Sequence, residues 1–466
     1  MISIKKIQRA LCGAIVAGAI CSSAQVDATT QTRAHAATSC LKNARTNLQL
    51  GVTAGPPPIT RYSLPPEKER QAIALARTGR RIFFGEFFTE TLVLVLLLFG
   101  GWAAKYRDWA ERVSTRRIVQ AAVFWPLLLL SLDVPLVPFQ IWDHSLVRSY
   151  GLSVQGWLSW ALDSMKEEVV SIAIVTFVGW LAAVLIRRSP RRWWLAAWAV
   201  SIPLVILGVY AEPLVIEPLF FDFRPLAESH PALTEKVQQT AARAGVTIQQ
   251  SQILEMLASR KVNWINAYVA GIGNSKRVVF WDTLLARTDD TGALFTFGHE
   301  LGHYALNHAW QYIGVSVIGF AIGYPVLAWI FAAVLCRYGD RWRVRAPYDW
   351  VALAALLLIV NFGQFAFMPI QNAITRHFEH QADLFGLELL HGAVPNAPQA
   401  AAQMFQVLGE SNLEEPAPSR LAVFWFYSHP PIADRINFAL TYDPWSAGQQ
   451  PQFKFLPPAP PTAPSH

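Results

Sequence analysis

Charged residues are scarce in this chain of 466 residues. Asp, Glu, Lys and Arg together make up 15% of it, whereas roughly 25% is usual in soluble domains. Hydrophobic residues make up 53%, and the chain contains 18 Trp and 27 Phe. The composition excludes disorder, collagen and coiled coil for the bulk of the chain, and it favours a protein that is solvated largely by lipid.

Cysteine is also scarce, and the four cysteines are poorly placed for pairing. Cys12 and Cys21 lie in an apolar N-terminal stretch, while Cys40 and Cys336 are far apart in the sequence. The sequence contains no Cys-x-x-Cys pair that would bind a metal ion. These positions argue against a disulfide scaffold and against a cysteine-based metal site.

The N-terminus has the three-part layout of a secretory signal. Residues 1–24 carry Lys5, Lys6 and Arg9, continue with the apolar run from Ala10 to Cys21 and end in small residues. This layout predicts a cleaved signal peptide or, as the alternative, an uncleaved signal anchor. Either form would carry the following segment, residues 25–61, out of the cytoplasm as an exported linker.

Six further apolar stretches are long enough, at about 17–25 residues each, to span a bilayer. They lie at approximately 84–103, 118–138, 169–186, 193–212, 312–335 and 350–369. The sequence therefore predicts a mainly α membrane protein, built as a multi-span transmembrane helical bundle. We expect a multi-pass protein of the inner or plasma membrane.

The basic residues indicate how the bundle is oriented. The linkers 104–117, 187–192 and 336–348 fall on one side of the membrane and hold thirteen Lys and Arg residues, whereas the opposite segments 66–83 and 139–168 hold seven. The positive-inside rule places the three linkers in the cytoplasm, and therefore places the long segments after the fourth and sixth spans outside it. The net charge of +7 then reflects topology, and we expect no nucleic-acid partner.

The segment between the fourth and fifth spans mixes helix and strand patterns. A helix is predicted over residues 232–244, ended by Gly245, and short strands are predicted at 253–257, 266–272 and 277–281. Asp289, Asp290 and Thr291 then offer N-cap side chains to a second helix that runs through Ala309.

This second helix carries His299-Glu300-Leu301-Gly302-His303, an H-E-x-x-H motif. Four residues at about 100° each place the second imidazole roughly 40° from the first and one turn along, so both can bind one metal ion. Neutral imidazoles suit zinc, and Glu300 can serve as the general base beside a zinc-polarised water. The motif predicts one Zn²⁺ per chain and peptide hydrolysis. A pair of core or capping histidines is the alternative.

A catalytic zinc needs a third protein ligand and an open fourth position. Glu379 and Asp383 lie one helical turn apart directly after the last span. Glu379 is the predicted third ligand because carboxylate is the commoner partner of this motif, and His377 and His380 are the rivals. Asp383 is predicted to orient a ligating imidazole. Alternatively, both carboxylates face water on a polar helix that leaves the membrane.

The two motifs just described belong to a set of six groups of residues that are spread along the chain. They are Leu64–Lys68, Pro218–Phe220 with Phe223, Asn266–Tyr268 with Lys276–Leu285, His299–His308, Phe378–Asp383, and Ser428–Pro431 with Arg435–Ile436. Together they resemble the type I CAAX prenyl endopeptidases, a family of integral-membrane zinc metalloproteases. The similarity covers about residues 62–440.

The resemblance implies roles for the metal-centre residues. The zinc ligands would be His299, His303 and Glu379. Glu300 would act as base and then as acid, and Asp383 would support the metal shell. The resemblance also implies that the spans enclose a large hydrophilic chamber with the zinc inside. In the family, the zinc domain lies on the cytosolic side, whereas the charges of this chain predict the extracytoplasmic side.

The resemblance also implies roles for residues that would touch the substrate. Asn266 would hold the substrate backbone near an edge strand, which is a common mode of peptide docking. His429 with Arg435 would stabilise the oxyanion or grip the substrate. Taken from the residues alone, His429 before two prolines is a turn residue.

The chain thus divides into five predicted parts. They are the signal at 1–24, the exported linker at 25–61, an N-terminal membrane domain with four spans at 62–224, an inserted α+β zinc metallopeptidase domain with two spans at 225–443, and a disordered Pro-rich tail at 444–466. The expected partners are a peptide or protein substrate, with or without lipid modification, and the lipid bilayer. The alternatives are a quality-control protease without prenyl dependence, a transporter or ion relay, and a catalytically inactive metal-binding scaffold.

Overall fold

The computed structural model describes residues 58–456. The predicted signal and all but the last residues of the exported linker lie outside the described residues. The N-terminal half of the described chain consists of long helices joined by short connections. In chain order they are α1 (Pro66–Phe99), α2 (Trp102–Val113), α3 (Arg117–Asp133), α4 (Val137–Ser149), α5 (Trp157–Arg188) and α6 (Trp193–Ala211).

The C-terminal half contains short strands and helices, together with two further long helices. In chain order they are β1 (Phe223–Pro225), α7 (Leu226–Ser229), α8 (Pro231–Arg243), β2 (Ile253–Met256), β3 (Ala267–Ala270), β4 (Arg277–Trp281), α9 (Asp282–Leu285), α10 (Asp290–Ala305), α11 (His308–Tyr338), α12 (Trp350–Leu390), α13 (Ala397–Asn412), α14 (Arg420–Phe426) and α15 (Ile432–Thr441).

Six helical segments of the described chain are long and apolar enough to cross a membrane. They are α1, α3 continued by α4, α5, α6 continued to Leu219, α11, and α12. This number confirms the spans predicted from the sequence. The helices are longer than the apolar stretches because their polar ends continue beyond them, and α12 alone has 41 residues, a length of roughly 60 Å.

The strands form one sheet with the order β1-β2-β4-β3. β2 and β4 are parallel, whereas β1 with β2 and β3 with β4 are antiparallel. The three predicted strands are present as β2, β3 and β4, and β1 was not predicted from the sequence. β3 lies at one edge of the sheet, so one side of its backbone has no partner strand within the sheet.

The three basic linkers meet at one end of the bundle. Arg107 in α2 pairs with Asp349, the residue that caps α12, at 2.9 Å. Arg345 pairs with Asp108 at 2.9 Å, and the Arg187 guanidinium lies 5.8 Å from the ring centre of Tyr348. The grouping of these linkers on one side, predicted from the spans, is therefore present in the structure.

The C-terminal segment differs from the sequence-based prediction. The backbone N–H groups of Gln452 and Phe453 each donate to the buried Glu388 carboxylate at 2.7 Å. The rings of Phe453 and Phe455 pack 5.1 and 5.0 Å from that of Phe385. The prediction of a disordered tail from residue 444 onward is therefore wrong for residues 444–456, because two aromatic side chains within the Pro-rich segment reach the core. Residues 457–466 lie outside the described part of the chain.

Candidate metal centre

The H-E-x-x-H motif lies on α10, whose start is fixed by the predicted cap. The Gly292 N–H donates to Asp289 Oδ1 at 2.9 Å, which satisfies one of the free N–H groups of the first turn. The helix ends four residues earlier than predicted, at Ala305. Asn307 adopts a left-handed φ of 56°, a conformation that Asn tolerates better than most residues, and α11 begins at the next residue, His308.

Small residues bring α10 against α12. A Cβ atom added at Gly302 would lie 3.0 Å from Ala382 Cα, and one added at Gly386 would lie 2.9 Å from His299 N. Two helices can approach this closely only where side chains are missing at the crossing. The crossing therefore sets the distance between the motif on α10 and the carboxylates on α12.

Three predicted ligands converge at this crossing. His299 Nε2 lies 3.2 Å from His303 Nε2 and 3.3 Å from Glu379 Oε2, and His303 Nε2 lies 3.5 Å from Glu379 Oε1. Ligand atoms placed 2.0–2.1 Å from a tetrahedral zinc ion are about 3.3 Å apart. The three side chains thus fit one tetrahedral ion with a fourth position open. This is the one group of three His, Cys, Asp or Glu side chains in residues 58–456 that could hold a metal ion.

The third predicted ligand, the Glu379 carboxylate, is buried in a way that suits a metal ligand. Glu379 is 3% exposed, and its Oε2 atom lies 3.3 Å from His299 Nε2 and 3.2 Å from His429 Nε2. A buried carboxylate is costly unless it is hydrogen-bonded or a cation lies beside it, and a metal ion between these side chains would meet that need. The rivals His377 and His380 are both exposed and lie outside the cluster; the ring of His380 packs on Phe438 instead.

The outer nitrogen of His299 faces Asp383. His299 Nδ1 lies 2.8 Å from Asp383 Oδ1, so the predicted neighbour of a ligating imidazole is in contact with it. Arg435 donates to both oxygens of the same carboxylate, at 2.6 and 2.9 Å. Arg435 thus lies behind the ligands, with its side chain engaged by Asp383. Burial opposes the charge of Arg435, but the Asp383 carboxylate outweighs it and raises the pKa of Arg435.

The outer nitrogen of His303 faces a different partner, which the sequence analysis missed. His303 Nδ1 lies 2.9 Å from His308 Nδ1, and His308 Nε2 lies 3.2 Å from Gln381 Oε1. His308 follows His303 by five residues, a spacing at which side chains of one continuous helix do not meet. The available signal was Asn307, a residue suited to the left-handed break that precedes His308.

Glu300 lies beside the cluster and against the edge strand. The N–H of Val269 in β3 donates to Glu300 Oε2 at 3.1 Å, which fixes the direction of the carboxylate. Burial, reinforced by the charge of Glu379, raises the pKa of Glu300 to about 7. A carboxyl group with a pKa near neutrality can both accept and return a proton.

Burial also shifts the pKa values of the histidines. It lowers the pKa of His303 to about 3 and also lowers the pKa of His429, so both rings are neutral at pH 7. Burial opposes the charge of His299 too, but its contacts with Asp383 and Glu379 outweigh that effect and raise its pKa to about 10. A neutral imidazole is the form that binds a metal ion, so His303 is in that form at pH 7, whereas His299 would release a proton when it binds one.

The remaining predicted residues line a cavity of about 100 Å³ beside the ligands. Asn266 lies directly before β3 and lines this cavity together with the apolar side chains of Phe295 and Phe405. His429 also lines it, with Nε2 3.2 Å from Glu379 Oε2 and Nδ1 2.9 Å from Ser428 Oγ. All eight predicted site residues thus belong to one pocket or its immediate support.

The fold and this site together define a class of protein, a metallopeptidase built into a bundle of membrane helices. Two family models match the chain: one described as "CAAX prenyl protease N-terminal, five membrane helices" matches residues 50–222, and one described as "Peptidase family M48" matches residues 227–443. The chain belongs to peptidase family M48, and it is a membrane metalloprotease of the CAAX prenyl protease branch. The resemblance predicted from its motifs is confirmed.

Individual relatives agree with this assignment. The uncharacterized metalloprotease YhfN of Bacillus subtilis (strain 168) is 31% identical over 360 residues, which are 77% of this chain and 82% of that protein. The CAAX prenyl protease 1 homolog of Homo sapiens is 26% identical over 408 residues, covering 76% of this chain and 82% of that protein. The crystal structure of S. mikatae Ste24p shares the fold, with a TM-score of 0.66, 20% identity, and 81% and 89% of the two chains covered.

Proposed function

We propose that the protein is a zinc-dependent endopeptidase whose one Zn²⁺ per chain is held by His299, His303 and Glu379. The observation that carries this proposal is the convergence of the three side chains: the two Nε2 atoms lie 3.2 Å apart, and each lies within 3.5 Å of one oxygen of the Glu379 carboxylate. Two imidazoles, one carboxylate and an open fourth position are the ligand set of catalytic zinc. When bound, zinc polarises the scissile carbonyl and makes water more acidic.

Glu300 is the general base in this proposal. Its carboxylate is held by the Val269 N–H, close to the proposed ligands. It takes a proton from the attacking water and returns that proton to the nitrogen of the leaving amine, so that the C–N bond breaks without release of an unstable amide anion. A pKa raised by burial supports both transfers.

The edge strand β3 is the proposed dock for the substrate backbone. The N–H of Val269 points away from β4 and meets Glu300, so this edge of the strand faces the helix that carries the proposed ligands His299 and His303. An extended peptide would pair with it, with Asn266 holding the substrate backbone at the start of the strand. His429, which lines the same pocket, would stabilise the developing oxyanion. Because Arg435 is engaged by Asp383 at both oxygens, we assign it to the support of His299.

The proposed orientation of the protein in the membrane rests on the difference between the two ends of the helical bundle. The basic linkers gather at the start of α12, while the proposed ligands lie toward its other end. The positive-inside rule then favours a cytoplasmic location for the basic end and an extracytoplasmic location for the metallopeptidase domain, residues 225–443. The membrane domain would comprise residues 62–224.

Two classes of polypeptide substrate follow from different observations. The name of the human relative, CAAX prenyl protease 1 homolog, favours a lipid-modified peptide. The separation of the basic end from the metal centre favours misfolded membrane or exported proteins, for which no prenyl group is needed. A farnesylated Cys-aliphatic-aliphatic-X peptide and an unfolded polypeptide, offered to the purified protein in parallel, distinguish the two.

The same assay tests the enzyme itself. Glu300→Gln keeps the size of the side chain but cannot accept a proton, so we expect cleavage to fall by about 10²–10⁴-fold while the zinc content remains that of the wild type. A chelator should abolish wild-type cleavage, and added zinc should restore it. Cleavage that persists in Glu300→Gln, or that resists the chelator, would contradict the proposal.

A further inference from the structure

His308 lies directly behind the second proposed ligand. Its Nδ1 is 2.9 Å from His303 Nδ1, and its Nε2 is 3.2 Å from Gln381 Oε1. The His308 side chain is buried, and its ring stacks on Phe378 at a centroid distance of 4.6 Å with an interplanar angle of 17°. Tyr312 closes on the same Phe378 ring, edge to face, at 4.6 Å. Packing on several sides therefore fixes this imidazole in place.

The backbone turns in a way that makes the contact. In a continuous helix, side chains five residues apart point about 140° away from each other around the axis, so His303 and His308 would lie on different faces. In this chain α10 ends at Ala305, and the left-handed Asn307 directly precedes the start of α11 at His308. This break returns the His308 ring to His303, and it places Gln381 of α12 within reach.

One arrangement of protons satisfies all three side chains. An imidazole that binds a metal ion through Nε2 carries its proton on Nδ1 and needs an acceptor there. The unprotonated Nδ1 of His308 accepts the hydrogen bond from His303, which leaves the proton of His308 on Nε2. That N–H donates in turn to the carbonyl oxygen of the Gln381 side chain, which is an acceptor only.

We infer that His308 and Gln381 form a neutral hydrogen-bond relay that fixes the tautomer and the ring orientation of His303. The inference rests on the proposed function, since it takes His303 as a metal ligand. The relay is the counterpart of the Asp383–Arg435 pair behind His299, but it contains no charged group. His308 does not face the cavity where substrate would bind, so it is a positioning residue.

The test compares zinc dissociation constants, measured by competition with a chromophoric chelator, for the full-length protein and its variants. His308→Phe keeps an aromatic ring to stack on Phe378 but removes the acceptor, and we expect zinc binding about 10–100-fold weaker than in the wild type. His308→Asn places an oxygen near the former Nδ1, so we expect most of the affinity to return. His377→Phe is the matched control at an exposed histidine of α12, and it should leave zinc binding unchanged.

A second readout separates orientation from simple loss of packing. The visible absorption spectrum of the cobalt-substituted protein reports the geometry of the metal ion, and it should change in His308→Phe but return toward the wild type in His308→Asn. Gln381→Met removes the last acceptor of the relay and leaves His308 intact. It should weaken zinc binding by a smaller factor, and it carries the test if His308→Phe does not fold.

Two results would overturn the relay. One is a His308→Phe variant, or in its place a Gln381→Met variant, that binds zinc as tightly as the wild type. The other is a His308→Asn variant as weak as His308→Phe, because packing rather than an acceptor would then be the cause. A wild-type protein that binds no zinc would instead refute the proposed function, and with it the relay.

Discussion

The two ends of α12 each bury an aspartate against an arginine, but the two pairs hold different things in place. At the basic end, Asp349 pairs with Arg107 at 2.9 Å. At the metal end, Asp383 pairs with Arg435 at 2.6 Å. All four residues are at most 6% exposed, so the two ion pairs are similarly buried.

What differs is the third partner of each carboxylate. Asp349 accepts a further hydrogen bond from the backbone N–H of Arg345, at 2.9 Å, and thereby joins the linker to the start of the helix. Asp383 accepts its further hydrogen bond from the imidazole of His299. A buried ion pair alone is weak evidence of function. The group that shares the carboxylate decides whether breaking the pair affects the fold or the metal centre.

The largest effect on the metal centre is expected from Asp383→Asn. The amide keeps the shape of the carboxylate but loses its negative charge. It therefore accepts weaker hydrogen bonds from Arg435 and His299. We expect zinc binding to weaken about 10–100-fold, measured by chelator competition. Asp349→Asn is the matched variant at the other end of the helix, and equal losses of zinc affinity in both would remove the distinction between the two pairs.

A smaller effect is expected from Gly386→Ala. The added methyl group would lie 2.9 Å from His299 N, so α10 and α12 must separate slightly. Overpacking of this kind costs about 1–3 kcal/mol of stability, and zinc affinity should fall with it because His299 moves. Gly363→Ala, on the same helix where a methyl group meets open space, is the control; thermal unfolding in detergent that ranks the two variants equally would refute the close crossing.

Asp349→Asn should affect stability and leave the metal centre intact. Loss of a buried hydrogen bond to a charged group costs about 1.5–3 kcal/mol, which should lower the midpoint of thermal unfolding. Zinc affinity and cleavage rate per folded molecule should equal those of the wild type. Asp340→Asn, at an exposed aspartate of the same linker, should change neither quantity.

The smallest effect is expected from Arg345→Gln. Its ion pairs with Asp108 and Glu111 are partly exposed, and such pairs contribute about 0–1 kcal/mol. The change should be detectable only at low salt, since salt screens exposed charges. A loss as large as that in Asp349→Asn would show that burial does not separate the two kinds of pair.

The sequence predicted the parts of this structure that follow from local patterns. Apolar length predicted the six spans, and the spacing of His299 and His303 predicted that they share a helix face. Alternation and turn residues predicted β3 and β4. These features depend on neighbours a few residues away, which is why one sequence was enough to predict them.

Local sequence patterns could not predict the features that depend on how the helices and strands pack together. Nothing local in the segment from His377 to Asp383 shows which side faces α10, because Gly302 and Gly386 decide that in three dimensions. The contact between His303 and His308 needed the helix break at Asn307. Phe453 and Phe455 sit in a segment whose prolines predict disorder, and only the core surface around Phe385 explains their order.

The most direct test of the central claim is zinc K-edge X-ray absorption of the purified full-length protein, with zinc content measured on the same sample. The account predicts one zinc ion per chain, bound by nitrogen and oxygen ligands at about 2.0–2.1 Å with the scattering of two imidazoles. In Glu379→Gln, the zinc content should fall sharply. A zinc ion with sulfur ligands, or a wild-type content that Glu379→Gln leaves unchanged, would contradict the assignment of His299, His303 and Glu379 as the metal ligands.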